Sequence, residues 1–156
     1  MSNLKQLENY EDLLTELKDK KIPFRKIEGK TSLSIPIRLG DQNAALLILW
    51  EPEPRVIQLI QILPLAVPRE YREVLTILLN RINFTLPVTG FVMNEKHGVI
   101  TYRIQAFLDP NGAISSDTIG SLSALSIRTA KYILPQLKKA LASLQDVRPK
   151  SLFDLK

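Results

Sequence analysis

The chain has 156 residues and no cysteine, so disulfides and thiolate metal sites are excluded. It has one histidine, His97, which leaves no second imidazole for a metal site or a histidine relay. Its six glycines form no phosphate-cradling loop: Gly112 and Gly120 stand alone, and no Gly-Lys-Ser/Thr follows a strand pattern. Serines 115, 116, 121, 123 and 126 lack a nucleophile-elbow context. No apolar run approaches the roughly 20 residues of a bilayer span, the longest being Ala44–Trp50. The opening residues Met1-Ser2-Asn3-Leu4-Lys5-Gln6 do not have the basic-then-apolar form of a secretory signal. These absences point away from an enzyme, a metal or cofactor site and a membrane protein. A cytoplasmic location is the expectation that fits them.

What is present is ordinary for a globular domain: 45% apolar and 24% charged residues. The net charge of +5 is uneven, since residues 115–156 hold 7 Lys or Arg against 3 acids. Leu4, Leu7, Leu14 and Leu17 recur at helical spacing, predicting a helix over 4–21 that Pro23 ends. Leu33, Ile35, Ile37 and Leu39 alternate with polar residues and Pro36, which predicts an edge strand. Gly40–Asn43 supplies a turn, and Glu51–Arg55 separates the next two strands, 44–50 and 56–63. Pro68 opens a second helix to about Asn83, with Tyr71, Val74, Leu75, Leu78 and Ile82 as its apolar stripe and Ile77 outside it. A hairpin over 86–108, turning at Asn94–Gly98, precedes a long last helix. Ser115 or Ser116 caps that helix, and Pro135 should kink or break it. The expected architecture is α+β in the order α-β-β-β-α-β-β-α. Its antiparallel five-stranded sheet is packed with helices in a single domain over residues 1–145, followed by a tail at 146–156.

Two features bear on function. Arg128, Lys131, Lys138 and Lys139 fall on one side of the last helix, a basic face for nucleic acid or simply a solvated surface. The second and third strands do not alternate: Leu47, Leu49, Ile57 and Leu59 stand against Leu46, Ile48, Ile60 and Ile62. An antiparallel sheet covered on one face should alternate, so apolar side chains remain for the other. Either the three helices divide between the faces, or a second chain covers one of them. Leu47, Leu49, Ile57, Leu59 and Ile77 are the candidate contact residues. His97 reads as a solvent-facing turn residue, and Asp41, Glu51 and Glu53 as turn carboxylates.

The element order, together with Val74–Asn83, Gly90–Asn94, Gly98–Arg103 and Thr129–Leu137, resembles the type III secretion chaperone fold. In sequence it is closer to the YbjN-like family, grouped as bacterial sensory transduction regulators and including uncharacterised cyanobacterial members. The likeness covers about residues 4–144. It implies a cytoplasmic, non-enzymatic homodimer that binds another polypeptide, and it supplies no catalytic residues. Secretion chaperones of this fold are acidic, whereas this chain has a pI near 9.5, which favours a regulator or adaptor. The second reading is a nucleic-acid regulator acting through the basic last helix.

Overall fold

The computed structural model describes residues 4–88 and 90–147. In chain order the elements are β1 (Gln6–Leu7), α1 (Tyr10–Asp19), β2 (Arg25–Lys26), β3 (Ser32–Leu39), β4 (Gln42–Glu51) and β5 (Val56–Ala66). There follow α2 (Arg72–Thr85), entered through a 3-10 turn, then β6 (Phe91–Asn94), β7 (Val99–Phe107), β8 (Ile114–Ser115) and α3 (Ser116–Asp146). The long elements keep the expected order. The sheet, however, has six antiparallel strands rather than five, ordered β2-β3-β4-β5-β7-β6, and β1 pairs separately with β8. The added strands are two residues each, too short to carry a periodic signal. Of the expected tail, residues 148–156 lie outside the described residues.

Helix α1 begins six residues later than its leucine spacing suggests. Asn9 Oδ1 accepts the Asp12 amide at 3.0 Å, and the Asp12 carboxylate accepts the Glu8 amide at 2.8 Å. This reciprocal cap fixes Tyr10 as the first helical residue. Leu7, freed from the helix, enters the core through β1 and is fully buried, while Leu4 stays exposed. The other end closes before Pro23. The Ile22 amide donates to Leu17 O at 2.9 Å and the Lys21 amide to Lys18 O at 3.0 Å, with Lys21 at φ 55°. That is a Schellman closure with lysine in the left-handed position glycine usually takes.

The β4–β5 hairpin decides which side chains are dry. Its turn holds four residues, Pro52–Arg55, because Glu51 pairs with Val56. An even loop sets odd positions opposite even ones: Ile48 faces Leu59, Trp50 faces Ile57, and Leu47 faces Ile60. The grouping of Leu47 and Leu49 with Ile57 and Leu59 follows from a five-residue separation, and one residue of slip exchanges the faces of a strand. Ile57 and Leu59 therefore lie in the core, each 0% exposed, and are withdrawn as contact residues.

All three helices pack on that inner face. Leu13 and Leu17 of α1, Leu75 and Leu79 of α2, and Ile119, Ile133 and Leu137 of α3 join one cluster with Leu33, Leu46, Ile48, Leu59 and Tyr102. The helices do not divide between the faces. Within α2, Val74 is turned outward and Leu79 takes its place in the core. Helix α3 runs unbroken through Pro135, which sits on its exposed side. The carbonyl of Lys131 that loses its amide partner belongs to an exposed residue, so water can satisfy it. Ser115 caps α3 by accepting the Thr118 amide at 3.1 Å, which leaves Ser116 for another contact.

Both edges of the sheet are occupied. At one, the charged pair Arg25 and Lys26 lies along β3, and Pro36 follows where β2 ends. At the other, the Asn83 carboxamide of α2 donates to Phe91 O at 2.8 Å and accepts the Phe91 amide at 2.9 Å. A single side chain thus takes the place of a neighbouring strand at the first residue of β6.

Replacing Lys21 with glycine should stabilise the fold by up to about 1 kcal/mol, because the left-handed conformation is free of steric cost for glycine alone. Urea unfolding of Lys21→Gly against the parent chain measures it. No gain in midpoint would show that the lysine is unstrained there.

Candidate functional site

With the helices on one side, the far face of the sheet is bare among the described residues. Its central residues are Leu47 and Leu49 of β4 and Ile60 and Ile62 of β5, all partly exposed and none packed against the core cluster. Leu47 and Ile60 are direct cross-strand partners, as are Ala45 and Ile62. Val92 of β6 and Phe107 of β7 extend the apolar surface at 47% and 76% exposure. Of the proposed strand contacts, Leu47 and Leu49 are where a partner could reach them. Ile60 and Ile62 take the places of Ile57 and Leu59. The signal that could have found them was the length of the 52–55 turn.

A polar chain borders this patch. The Gln58 amide donates to Glu51 at 2.6 Å, and Arg103 donates to Gln58 Oε1 at 2.9 Å. His97 is exposed in the turn between β6 and β7, beside a shallow depression lined also by Ile60, Val92, Thr101 and Arg103. Glu51 meets Gln58 alone, and Asp41 and Glu53 are exposed in turns, so these carboxylates do not converge. Among the described residues no group of three His, Asp or Glu side chains could hold a metal ion. No described helix is long and apolar enough to cross a membrane.

Helix α2 presents a second apolar stripe, outward. Val74, Ile77 and Phe84 are 48%, 53% and 92% exposed, with Arg81 between the last two. Ile77 lies off the buried stripe as its spacing requires. The basic side of α3 also forms: Arg128, Lys131 and Lys139 are exposed, with Tyr132 at 70%. Lys138 is half-buried and donates instead to Gln42 Oε1.

A third cluster was not foreseen. Glu16 of α1 is buried at 7% exposure and bonds to Lys5 at 2.5 Å, Lys20 at 2.8 Å and the Ser116 hydroxyl at 2.5 Å. It ties α1 to the strand before it and to the first turn of α3, a separation of 100 residues. Hydrogen bonds from Lys20, Lys5 and Ser116 hold its carboxyl at about 2, far below the ordinary value of 4.5. The i,i+4 spacing of Glu16 and Lys20 is a local signal, but nothing local marks the bond to Ser116, 100 residues away.

No protein-family model matches the chain, and no curated protein matches it. A solved structure does: the crystal structure of "YbjN, a putative transcription regulator from E. coli". It superposes with a TM-score of 0.64 over 87% of this chain and 96% of that one, at 11% sequence identity. The likeness is one of fold.

The Glu16 cluster makes stability depend on pH. A carboxyl whose folded value lies below its unfolded one stabilises the fold above the unfolded value and loses that effect as pH falls toward the folded one. The window is therefore from about 4.5 down to about 2. The lysines around it are about half exposed, so screening reduces the effect, and Glu16→Gln should cost about 1–2 kcal/mol at pH 7. Urea unfolding should show the gap between parent and Glu16→Gln closing as pH falls through that window. A gap of constant size would assign the effect to packing instead.

Proposed function

We propose that this chain is a non-enzymatic protein-interaction module, a regulatory adaptor that works as a homodimer closed over the bare face of its sheet. The observation that carries this reading is the helix-free face with Leu47, Leu49, Ile60 and Ile62 at its centre. Apolar surface left wet costs about 25 cal/mol per Å², and contiguous patches of a few hundred Å² mark interaction sites. The face is suited to a second copy of itself. It has an apolar centre bordered by Arg103, Gln58 and Glu51, so both charge signs are present for a twofold pairing. The outward stripe of α2, with Val74, Ile77 and Phe84 around Arg81, then remains for a different polypeptide. YbjN, which shares this fold, is named as a regulator, and a regulatory role for this chain agrees with that likeness.

The parent chain should sediment as a dimer at about 50 μM, a concentration at which a typical micromolar interface is occupied. The double variant Leu47→Asp with Ile60→Asp should sediment as a monomer with its near-UV circular dichroism retained. Ile57→Asp, in contrast, should unfold the chain, since it buries a charge in the core. A parent chain that is monomeric at that concentration would remove the sheet interface. Dissociation by Ile77→Asp alone would move the interface to α2.

One observation favours nucleic acid as a second reading: residues 118–145 contain no acid, and Arg128, Lys131 and Lys139 are exposed together with Tyr132. If this face binds duplex DNA with three or four phosphate contacts, the log–log salt slope should be about −3 to −4. Replacing the three cations with glutamine should abolish binding in an anisotropy titration. Affinity that is flat with salt, or unchanged in the triple variant, would count against this reading.

A further inference from the structure

A crevice opens between α1, the inner face of the sheet at β3 and β4, and the first turns of α3. Its volume is about 240 Å³, and Leu13, Leu17, Ile22, Ile35 and Ile48 form much of its wall. A cavity of roughly 150 Å³ with walls of this kind stays dry and accepts benzene, so this one has room for about ten non-hydrogen atoms. The Schellman closure of α1 makes part of it, since Leu17 and Ile22 are the residues that closure brings together.

The crevice is apolar inside and polar at one margin, where Glu16, Lys20 and Ser116 meet. The Lys20 ammonium donates to Glu16 at 2.8 Å and to the Ser116 hydroxyl at 3.0 Å, and its side chain is 49% exposed. An ammonium has three protons, so one remains for an incoming acceptor. Lys5 lies on the other carboxylate oxygen of Glu16 and is shared with Asp19 at 3.6 Å, so Lys20 is the cation of the cluster that lines the crevice. The start of α3 lies at the same margin, and its dipole favours negative charge there.

Gly120 is an independent observation. It lies inside α3, lines the crevice, and has ordinary helical backbone, while a Cβ built on it would meet nothing within 4 Å. Neither conformation nor close packing requires glycine at this position, and glycine destabilises a helix relative to alanine. Gly120 is exposed, so its effect is to leave the rim of the crevice open to solvent at that point.

We propose that this crevice binds an aliphatic carboxylate of about ten non-hydrogen atoms, its chain among the aliphatic walls and its carboxylate on Lys20. This is independent of what the bare sheet face binds. Octanoate is the probe, followed by methyl NMR on the full chain. It should shift the methyls of Ile22, Ile35 and Ile48 saturably and leave those of Leu47 and Ile60 in place. Gly120→Leu and Ser123→Leu, each confirmed folded by circular dichroism, should weaken binding at least about tenfold by filling the space. Lys20→Met should weaken octanoate about tenfold while octanol binding stays the same. The proposal is overturned if millimolar octanoate shifts no crevice methyl, if the shifts centre on Leu47 and Ile60, or if octylamine binds as tightly as octanoate. It is equally overturned if binding survives both filling variants. Should neither variant fold, the methyl map and the octylamine comparison on the parent chain decide.

Discussion

The parity of one turn governs the molecule. Side chains alternate along a strand, so the number of residues between two paired strands determines which positions share a side. With four residues in the turn at Pro52–Arg55, Ile57, Leu59 and Leu63 join Leu46, Ile48 and Trp50 beneath the helices. Gln61 comes with them, and its amide is held by the carbonyls of Ala45 and Ile62 at 2.9 and 3.0 Å. The opposite set, Leu47, Leu49, Ile60 and Ile62, is left facing out. A turn of five residues would bury a different set and place Gln58 and Glu51, now hydrogen-bonded, on different sides from one another.

Much of this was legible in the chain. The alternation in β3 and the serine cap of α3 each reflect a local rule that held, whereas Pro68 precedes a 3-10 turn and α2 itself starts at Arg72. The excess of apolar side chains in β4 and β5 was legible too, as was the position of Ile77 outside the buried stripe. What could not be read was register, because non-alternating strands give no internal sign of which side is inward. The β1–β8 pair and the Glu16 cluster were hidden for another reason: each joins segments about 100 residues apart. The start of α1 was misplaced because Leu4 and Leu7 share the spacing of Leu14 and Leu17, and only the cap at Asn9 separates them.

These long-range ties act together at one end of the fold. Leu7 pairs with Ile114 in the small sheet, the Ser116 amide donates to Lys5 O at 2.9 Å, and the Ser116 hydroxyl reaches Glu16. The first helix, which makes few backbone approaches to the sheet, is positioned against α3 by these bonds. The apolar crevice lies beneath them, so the ion cluster and the open space under it belong to one arrangement of α1 over α3.

The carboxamide of Asn83 has a further consequence. Lateral growth of a sheet needs free amides and carbonyls along a border strand, and here Phe91 has neither to offer. The opposite border is guarded by Arg25, Lys26 and Pro36. Edge-to-edge pairing at Phe91 would first have to break both bonds to Asn83 and then displace α2 from that border.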